Sequence, residues 1–253
     1  MKLLSVIVPT LDGSLPAGLP QSQDVEVIVI NGISPVSRAR NVGISRAHGK
    51  YVAWVDADDA VTEDWLPSIL AAIEDDPDIV SFNAQVEWVD GRRKGFVVGG
   101  MANVADVLAE RATGQMWNKV IRRELYEGLE FSGMIHEDYR LLCELLPRAK
   151  QIKHIERTLY IYRRRSDGLS QHGDRTGEID SLNGLIEMCN ACDLPMKREM
   201  KKGVTQRVAD FCRNAESTSQ FRRFMRSNLC LVLCDPKISF RVKAKVLLAS
   251  IGV

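Results

Sequence analysis

Ala39-Arg40-Asn41-Val42-Gly43 and, shortly after it, Tyr51-Val52-Ala53-Trp54-Val55-Asp56-Ala57-Asp58-Asp59 decide how this chain folds. The first run lies in a stretch, from about Val36 to Ala47, that reads as a helix. The second is apolar and rich in branched and aromatic residues, which suits a strand covered on both faces. It ends abruptly in three carboxylates. Acids crowded at the carboxyl end of a strand repel one another unless a cation holds them. Open α/β sheets place their ligands at that end. Asp56, Asp58 and Asp59 therefore read as a divalent-metal and ligand site. The alternative is a solvated acidic turn capping a helix that starts near Thr62.

Working outward, Leu4 to Val8 and Val25 to Ile30 are short apolar runs of the parallel-strand kind. The connection between them, residues 11 to 24, holds Gly13, Pro16, Gly18 and Pro20, which oppose a helix. Asp64 to Asp75 is amphipathic, and Pro77 closes it. Ile79 to Phe82 reads as a fourth strand. Gln85 to Val89, the turn Asp90-Gly91 and Gly95 to Val98 read as a hairpin. Helices are expected over Val104 to Arg111 and Asp138 to Leu146, and strands over Trp117 to Ile121 and Ile152 to Arg163. From Ile179 the pattern is helical to the end, broken near Leu194-Pro195 and Asp235-Pro236.

Five motifs stand in order: Ser5-Val6-Ile7-Val8-Pro9-Thr10; Val25-Glu26-Val27-Ile28-Val29-Ile30; Ala39 to Gly43; Ala47-His48-Gly49-Lys50-Tyr51; and Val55 to Asp59, with Met116-Trp117-Asn118-Lys119 and His136-Glu137-Asp138-Tyr139 downstream. Tyr160-Ile161-Tyr162-Arg163 with Ser166 and Ser170 follows. In this order and spacing the chain resembles the family 2 glycosyltransferases over about residues 1 to 172. That resemblance implies an α/β GT-A fold, a mixed sheet flanked by helices, with a helical extension beyond it. It divides the chain into a catalytic domain, 1–175, and a basic helical extension, 176–253. Within the domain, 1–100 would hold the nucleotide sugar and 101–175 the acceptor. The implied reaction is an inverting transfer, of hexosyltransferase type, from a nucleotide-diphosphate donor to a saccharide or lipid-linked acceptor, as in bacterial surface polysaccharide assembly.

The resemblance also implies roles. Departure of a nucleoside diphosphate builds charge on phosphate oxygen, which a hard divalent ion, Mn²⁺ or Mg²⁺, neutralises. Asp56 would lie near the donor ribose or the metal, and Asp58 would be the principal ligand. Asp59 is then a supporting partner or a helix cap, and the helix start near Thr62 to Trp65 favours the cap. His172 is a candidate third ligand, or a plain surface histidine. Pro9 and Thr10 would close over the nucleoside. Asn31 stands where an acidic residue usually holds the base, a departure that leaves uridine binding feasible through its amide. Arg40 would meet phosphate or the aspartates, or form a structural ion pair. Arg163 would touch the diphosphate, in a basic run that closes over the donor or is merely solvated. Asp138 would be the base, with Glu137 and His136 orienting it or touching the acceptor; an N-cap is the bland reading of Asp138. Trp117 would floor a sugar ring or pack in the core.

Composition bounds the rest. The 253 residues, 45% hydrophobic and 26% charged, suit one α/β domain with an appendage. Residues 1 to 195 carry 21 Lys and Arg against 29 Asp and Glu, whereas 196 to 253 carry 13 against 4. A basic tail on an acidic body points to an anionic partner for the tail. Phe221 to Arg226 and Phe240 to Leu248 mix apolar and basic residues at helical spacing, as membrane-surface helices do, or as basic helices packed on a domain do. The acidic body argues against nucleic acid. Cys143, Cys189, Cys192, Cys212, Cys230 and Cys234 are spread through helical stretches, as free thiols in a reducing cytosol are. The apolar start ends at Pro9 and serves a first strand better than a leader. The expected location is cytoplasmic, with the inner face of the plasma membrane as a possible surface. Two other functions compete: a nucleotidyltransferase, which lacks its Gly-rich, Lys-containing loop here, and a non-catalytic nucleotide-sugar-binding domain, motivated by Asn31 and the short first connection.

Overall fold

The computed structural model describes residues 2–88, 91–96, 104–109, 114–133, 136–164, 175–191, 196–214 and 219–252. Strands β1 (Leu4–Thr10), β2 (Val25–Asn31) and β3 (Tyr51–Trp54) run parallel, with β1 between the other two. Next come β4 (Ala60–Val61), β5 (Ile79–Trp88), β6 (Arg93–Phe96), β7 (Lys119–Arg122) and β8 (Ile152–Arg164). The sheet order is β2-β1-β3-β7-β5-β8-β4, and β6 pairs with β5. The sheet is mixed: β7 is antiparallel to β3 and β5, while β8 is parallel to β5.

Helix α1 (Val36–Arg46) follows β2, and α2 (Trp65–Ile73) follows β4. Then come α3 (Val104–Leu108), α4 (Glu137–Leu145), α5 (Arg175–Ala191), α6 (Lys197–Asn214), α7 (Ser219–Leu233) and α8 (Phe240–Ile251). The helices cover both faces of the sheet, which is why runs such as Val6 to Val8 and Tyr51 to Val55 are apolar. Ile7, Val52 and Trp54 face one core, shared with α1, α4 and buried residues of α5 to α8. Val6, Val8, Tyr51, Ala53 and Val55 face the other, with Trp65 and Ile69 of α2. The alternation of strand side chains divides each run between two layers.

Two glycines explain the close fit of α1. A Cβ on Gly43 would lie 2.4 Å from Ile7 Cγ2, and one on Gly49 would lie 2.5 Å from the Ser5 amide nitrogen. The helix therefore lies against β1, and the turn into β3 starts hard against its neighbour.

The connection 11–24 carries no helix, as its prolines and glycines imply. Val27 and Val29 on edge strand β2 remain partly exposed in consequence. Three expectations shift. The fourth strand and the first arm of the hairpin are one strand, β5, because an irregularity in its pairing to β8 near Asn83 bends it without ending it. Trp117 precedes its strand, which starts at Lys119. Asp59 caps no helix: β4 intervenes, α2 starts at Trp65 after Asp64, and Asp59 is buried. The Leu194-Pro195 break lies outside the described residues.

Candidate functional site

The carboxyl ends of the parallel strands bring the motif residues together. Thr10 and Asn31 are paired in register at the ends of β1 and β2. Val55 donates its amide hydrogen to the Ile7 carbonyl at 3.1 Å, which carries the chain to Asp56 one residue beyond the ladder. Thr10 is turned into its own loop. Its hydroxyl donates to Asp12 Oδ1 at 3.2 Å and accepts from the Gly13 amide at 3.1 Å. Asn31 is exposed, and its amide nitrogen lies against Gly13. Pro9 precedes Thr10 at the same strand end.

Arg40 is the hub. It is buried on α1, with Nη1 donating to Glu137 Oε1 at 2.7 Å and Nη2 3.6 Å from Asp56 Oδ1. Burial opposes its charge, but Asp56, Glu137 and Asp138 raise its pKa on balance. Arg40 thus meets an aspartate and forms an ion pair with Glu137, and it joins the aspartate motif to the His-Glu-Asp motif. Asn41 makes a second tie. Its amide donates to the Phe131 carbonyl at 2.9 Å and accepts from the Phe131 amide at 2.8 Å. Phe131 meets Trp54 edge-on at 5.2 Å. Neighbouring residues of one helix thus hold both the loop that leads to Glu137 and Glu137 itself.

Glu137 and Asp138 open α4. Burial pushes the Glu137 carboxyl up to about 7, opposed by Arg40 and reinforced by Asp138. Burial likewise raises Asp56, opposed by Arg40 and reinforced by Asp58 and Asp138. The carboxyls of Asp56, Asp58, Glu137 and Asp138 therefore share one electrostatic neighbourhood with a single buried guanidinium among them. Asp138 is half-buried, and its Oδ1 accepts from the Tyr139 amide at 2.6 Å.

His136 holds a left-handed backbone, φ 62°, just before α4. Arg207 Nη1 on α6 donates to its Nδ1 at 2.7 Å, so the ring proton sits on Nε2. Burial and then the Arg207 charge push the imidazole down to about 3. Arg207 also lies over the Tyr139 ring, 4.1 Å from its centroid.

Beneath Asp56 lies a polar and aromatic floor. The Asp56 amide donates to Tyr160 Oη at 3.1 Å, and that hydroxyl donates to Asp59 Oδ2 at 2.7 Å. The Arg163 amide donates to Asp59 Oδ1 at 2.7 Å. Burial and the nearby Asp56 push the Asp59 carboxyl up to about 8. Trp117, 6% exposed, stacks on Tyr160 and Tyr162 with centroids 4.7 and 5.7 Å apart. It takes the core place of its two readings. The Arg163 side chain turns to Glu87, Nε to Oε2 at 3.5 Å. Lys119 is fully buried near Asp138. Its ammonium donates to Asn118 Oδ1 at 2.7 Å and to the Gln115 carbonyl, and burial pushes it down to about 7.

The donor set fits a hard divalent cation. Asp58 is exposed, and burial and the neighbouring acids Asp58 and Asp138 raise Asp56, a repulsion which a cation among them would relieve. Mg²⁺ and Mn²⁺ take oxygen donors and are commonly held by one or two carboxylates plus substrate phosphates. Among the described residues no three His, Cys, Asp or Glu side chains form a self-sufficient metal cage. His172 and the segment 165–170, with Ser166 and Ser170, lie outside the described residues.

Residues 14–125 match the family model described as glycosyl transferase family 2. That match, with the glycosyltransferases below, supports a family 2 glycosyltransferase. The glycosyltransferase GlyG of Streptococcus pneumoniae serotype 4 is 27% identical over 170 residues, 60% of this chain and 56% of that protein. The uncharacterized glycosyltransferase YibD of Escherichia coli is 33% identical over 144 residues, 50% of this chain and 41% of that one. The matches thus span about half the length of these relatives. S. aureus TarS 1-349, crystallised in complex with UDP-GlcNAc, superposes with a TM-score of 0.67 at 18% identity, covering 100% of this chain and 88% of that one. The chain therefore has the expected GT-A fold, a mixed sheet flanked by helices with a helical part after it.

Sequence reasoning missed three features of this site. Arg207 is one arginine among many in a basic helix, and nothing in its spacing marks it. Lys119 stood inside a quoted motif, next to Asn118, without a role. Asp59 was marked as a carboxylate but not as the acceptor that holds Tyr160 and the β8 backbone.

Proposed function

We propose that this chain transfers a sugar, with inversion, from a nucleotide-diphosphate donor, a UDP-sugar, to a hydroxyl of a saccharide or lipid-linked acceptor. The observation that carries this reading is Arg40, which bridges the aspartates after β3 to Glu137 beside Asp138. The nucleotide is received at the ends of β1 and β2 by Pro9, Thr10 and Asn31, within residues 1–100. The acceptor approaches from residues 101–175, where α4 presents Asp138. The crystal structures of TarS with UDP-GlcNAc and with UDP, on the same fold, support the choice of a uridine-diphosphate donor.

Asp138 takes the proton of the acceptor hydroxyl as its oxygen bonds to the anomeric carbon. The bond from that carbon to phosphate oxygen breaks, and its electron pair leaves with the nucleoside diphosphate. One base suffices, because the departing diphosphate needs no protonation. Asp56 and Asp58 would hold a divalent ion, with His172 a candidate to join them, and such an ion supplies neutralisation of the departing phosphate charge. Arg40 keeps Glu137 and Asp56 in place without occupying Asp58. Arg163, rotated from Glu87, reaches the diphosphate. His136 and Glu137 orient Asp138. The extension, 176–253, braces α4 through Arg207.

The test pairs donor hydrolysis or transfer with binding. Wild type with Mn²⁺ turns over one donor from a panel of nucleotide sugars, and that nucleotide raises its melting temperature. Asp138→Asn keeps the thermal shift and loses about 10²–10⁴ of the rate, the usual contribution of a general base. Nucleotide-dependent stabilisation with wild type and variant equally inert over a broad panel of acceptors would instead make this a binding domain.

A further inference from the structure

Among the described residues, nothing covers an apolar stripe on the C-terminal helix α8. Its inner face, with Val246, Ala249 and Ser250, is buried, and Val242 packs on the core. Its outer face is not polar. Phe240 is 85% exposed, Leu247 42%, Leu248 47% and Ile251 56%. These positions, with Ala244, fall at helical spacing on one side. At 100° per residue Arg241 lies on one flank of the stripe and Lys243 on the other. Among the described residues, four of the nine large exposed apolar side chains belong to this helix.

Charge narrows the partner. From 219 to 252 the sequence holds Arg222, Arg223, Arg226, Lys237, Arg241, Lys243 and Lys245 against one acid, Asp235. Asp235 is held by Lys202 at 2.7 Å. The acids that neighbouring elements turn toward this region are likewise engaged: Asp210 by Lys245 at 2.7 Å and Asp106 by Lys237 at 3.5 Å. The surface around the stripe is therefore positive. A second copy of the same face would bring Arg241 and Lys243 against their own kind.

We infer that α8 lies in the plane of an anionic lipid bilayer, with Phe240, Leu247, Leu248 and Ile251 inserted between headgroups and Arg241 and Lys243 on lipid phosphates. An apolar stripe flanked by cations on a helix too short to cross is the form such helices take. The helix is about 18 Å long, at ~1.5 Å per residue, and among the described residues no helix is long and apolar enough to span. The inference goes beyond the proposed transfer and stands on this surface alone.

The test is co-sedimentation of the full chain with vesicles of phosphatidylcholine alone or mixed with phosphatidylglycerol. Wild type binds the anionic vesicles and not the neutral ones, and added salt weakens the binding. Phe240→Glu with Leu247→Glu and Ile251→Glu lowers the bound fraction at least about tenfold, and Arg241→Gln with Lys243→Gln lowers it several-fold. Melting temperature and nucleotide-induced shift stay as in wild type, which separates this outcome from a failure of the donor site. Phe240→Trp gives a second readout, a blue-shifted emission with anionic vesicles only. Equal binding of wild type and the triple variant, or no binding to anionic vesicles, overturns the inference. So does a dimer in solution that Phe240→Glu dissolves while vesicles bind neither form.

Discussion

Arg207, on a helix of the C-terminal part, donates to His136 Nδ1 at 2.7 Å and rests on the Tyr139 ring 4.1 Å from its centroid. The two residues it touches flank Glu137 and Asp138. A side chain 71 positions downstream of His136 thus braces the start of α4 from outside, while Arg40 at 2.7 Å from Glu137 braces it from inside. Glu137 is thereby clamped beside Asp138.

Arg207→Met should lower kcat about tenfold, roughly 1.4 kcal/mol of barrier, with donor KM within about twofold. Arg207→Lys should recover part of the loss. Burial and Arg207 together hold His136 near 3. Without the guanidinium the imidazole should titrate higher, yet still below its ordinary value, because burial is the larger cause. NMR titration of the histidine reads this directly, and an unchanged His136 titration beside an unchanged kcat would refute the bracing role.

Arg40→Met should destabilise the fold by about 3–5 kcal/mol, since it leaves Glu137 and Asp56 as uncompensated acids. Adding Glu137→Gln should restore a good part of that stability, because the amide needs no countercharge. Urea unfolding of the two variants makes the comparison. If the double variant is no better than the single one, the ion pair is not what holds α4 to α1.

Asp58→Asn should leave stability within about 0.5 kcal/mol, as expected of an exposed side chain. It should abolish any extra thermal shift that Mn²⁺ gives to nucleotide binding. An undiminished manganese-dependent shift in this variant would place the ion elsewhere.

Lys119 should make stability rise with pH. Burial holds its folded pKa near 7 against an ordinary 10.5. Between those values the unfolded chain carries a proton that the folded chain does not, so stability increases as pH climbs through the window and is lost as pH falls toward 7. At ~1.4 kcal/mol per unit of pH for one such group, Lys119→Met should flatten the slope measurably. Equal slopes in denaturant titrations at pH 7.5 and 9 would show the ammonium to be charged and satisfied.

The strands and the motif positions were legible because each rests on local chemistry. Val6 to Val8 and Val52 to Val55 are apolar at every position, and only a strand covered twice tolerates that. Gly13, Pro16, Gly18 and Pro20 rule out a helix by themselves. Asn83 shows where reading stopped: an irregular pairing with β8 let one strand run through what looked like two. Asp59 shows the same limit, since a carboxylate before a helix start looks like a cap whether or not Tyr160 reaches it.

From its residues alone the chain declared a covered parallel sheet, acids at one strand end and an Asp before a later helix, because those follow from periodicity, turn chemistry and like-charge repulsion among near neighbours. Folding in three dimensions settled which acids are held and which are free. Arg40 meets Glu137 across 97 positions, and Tyr160 meets Asp59 across 101. No local pattern encodes such pairings, because they arise only where packing excludes water and each buried charge must find its partner.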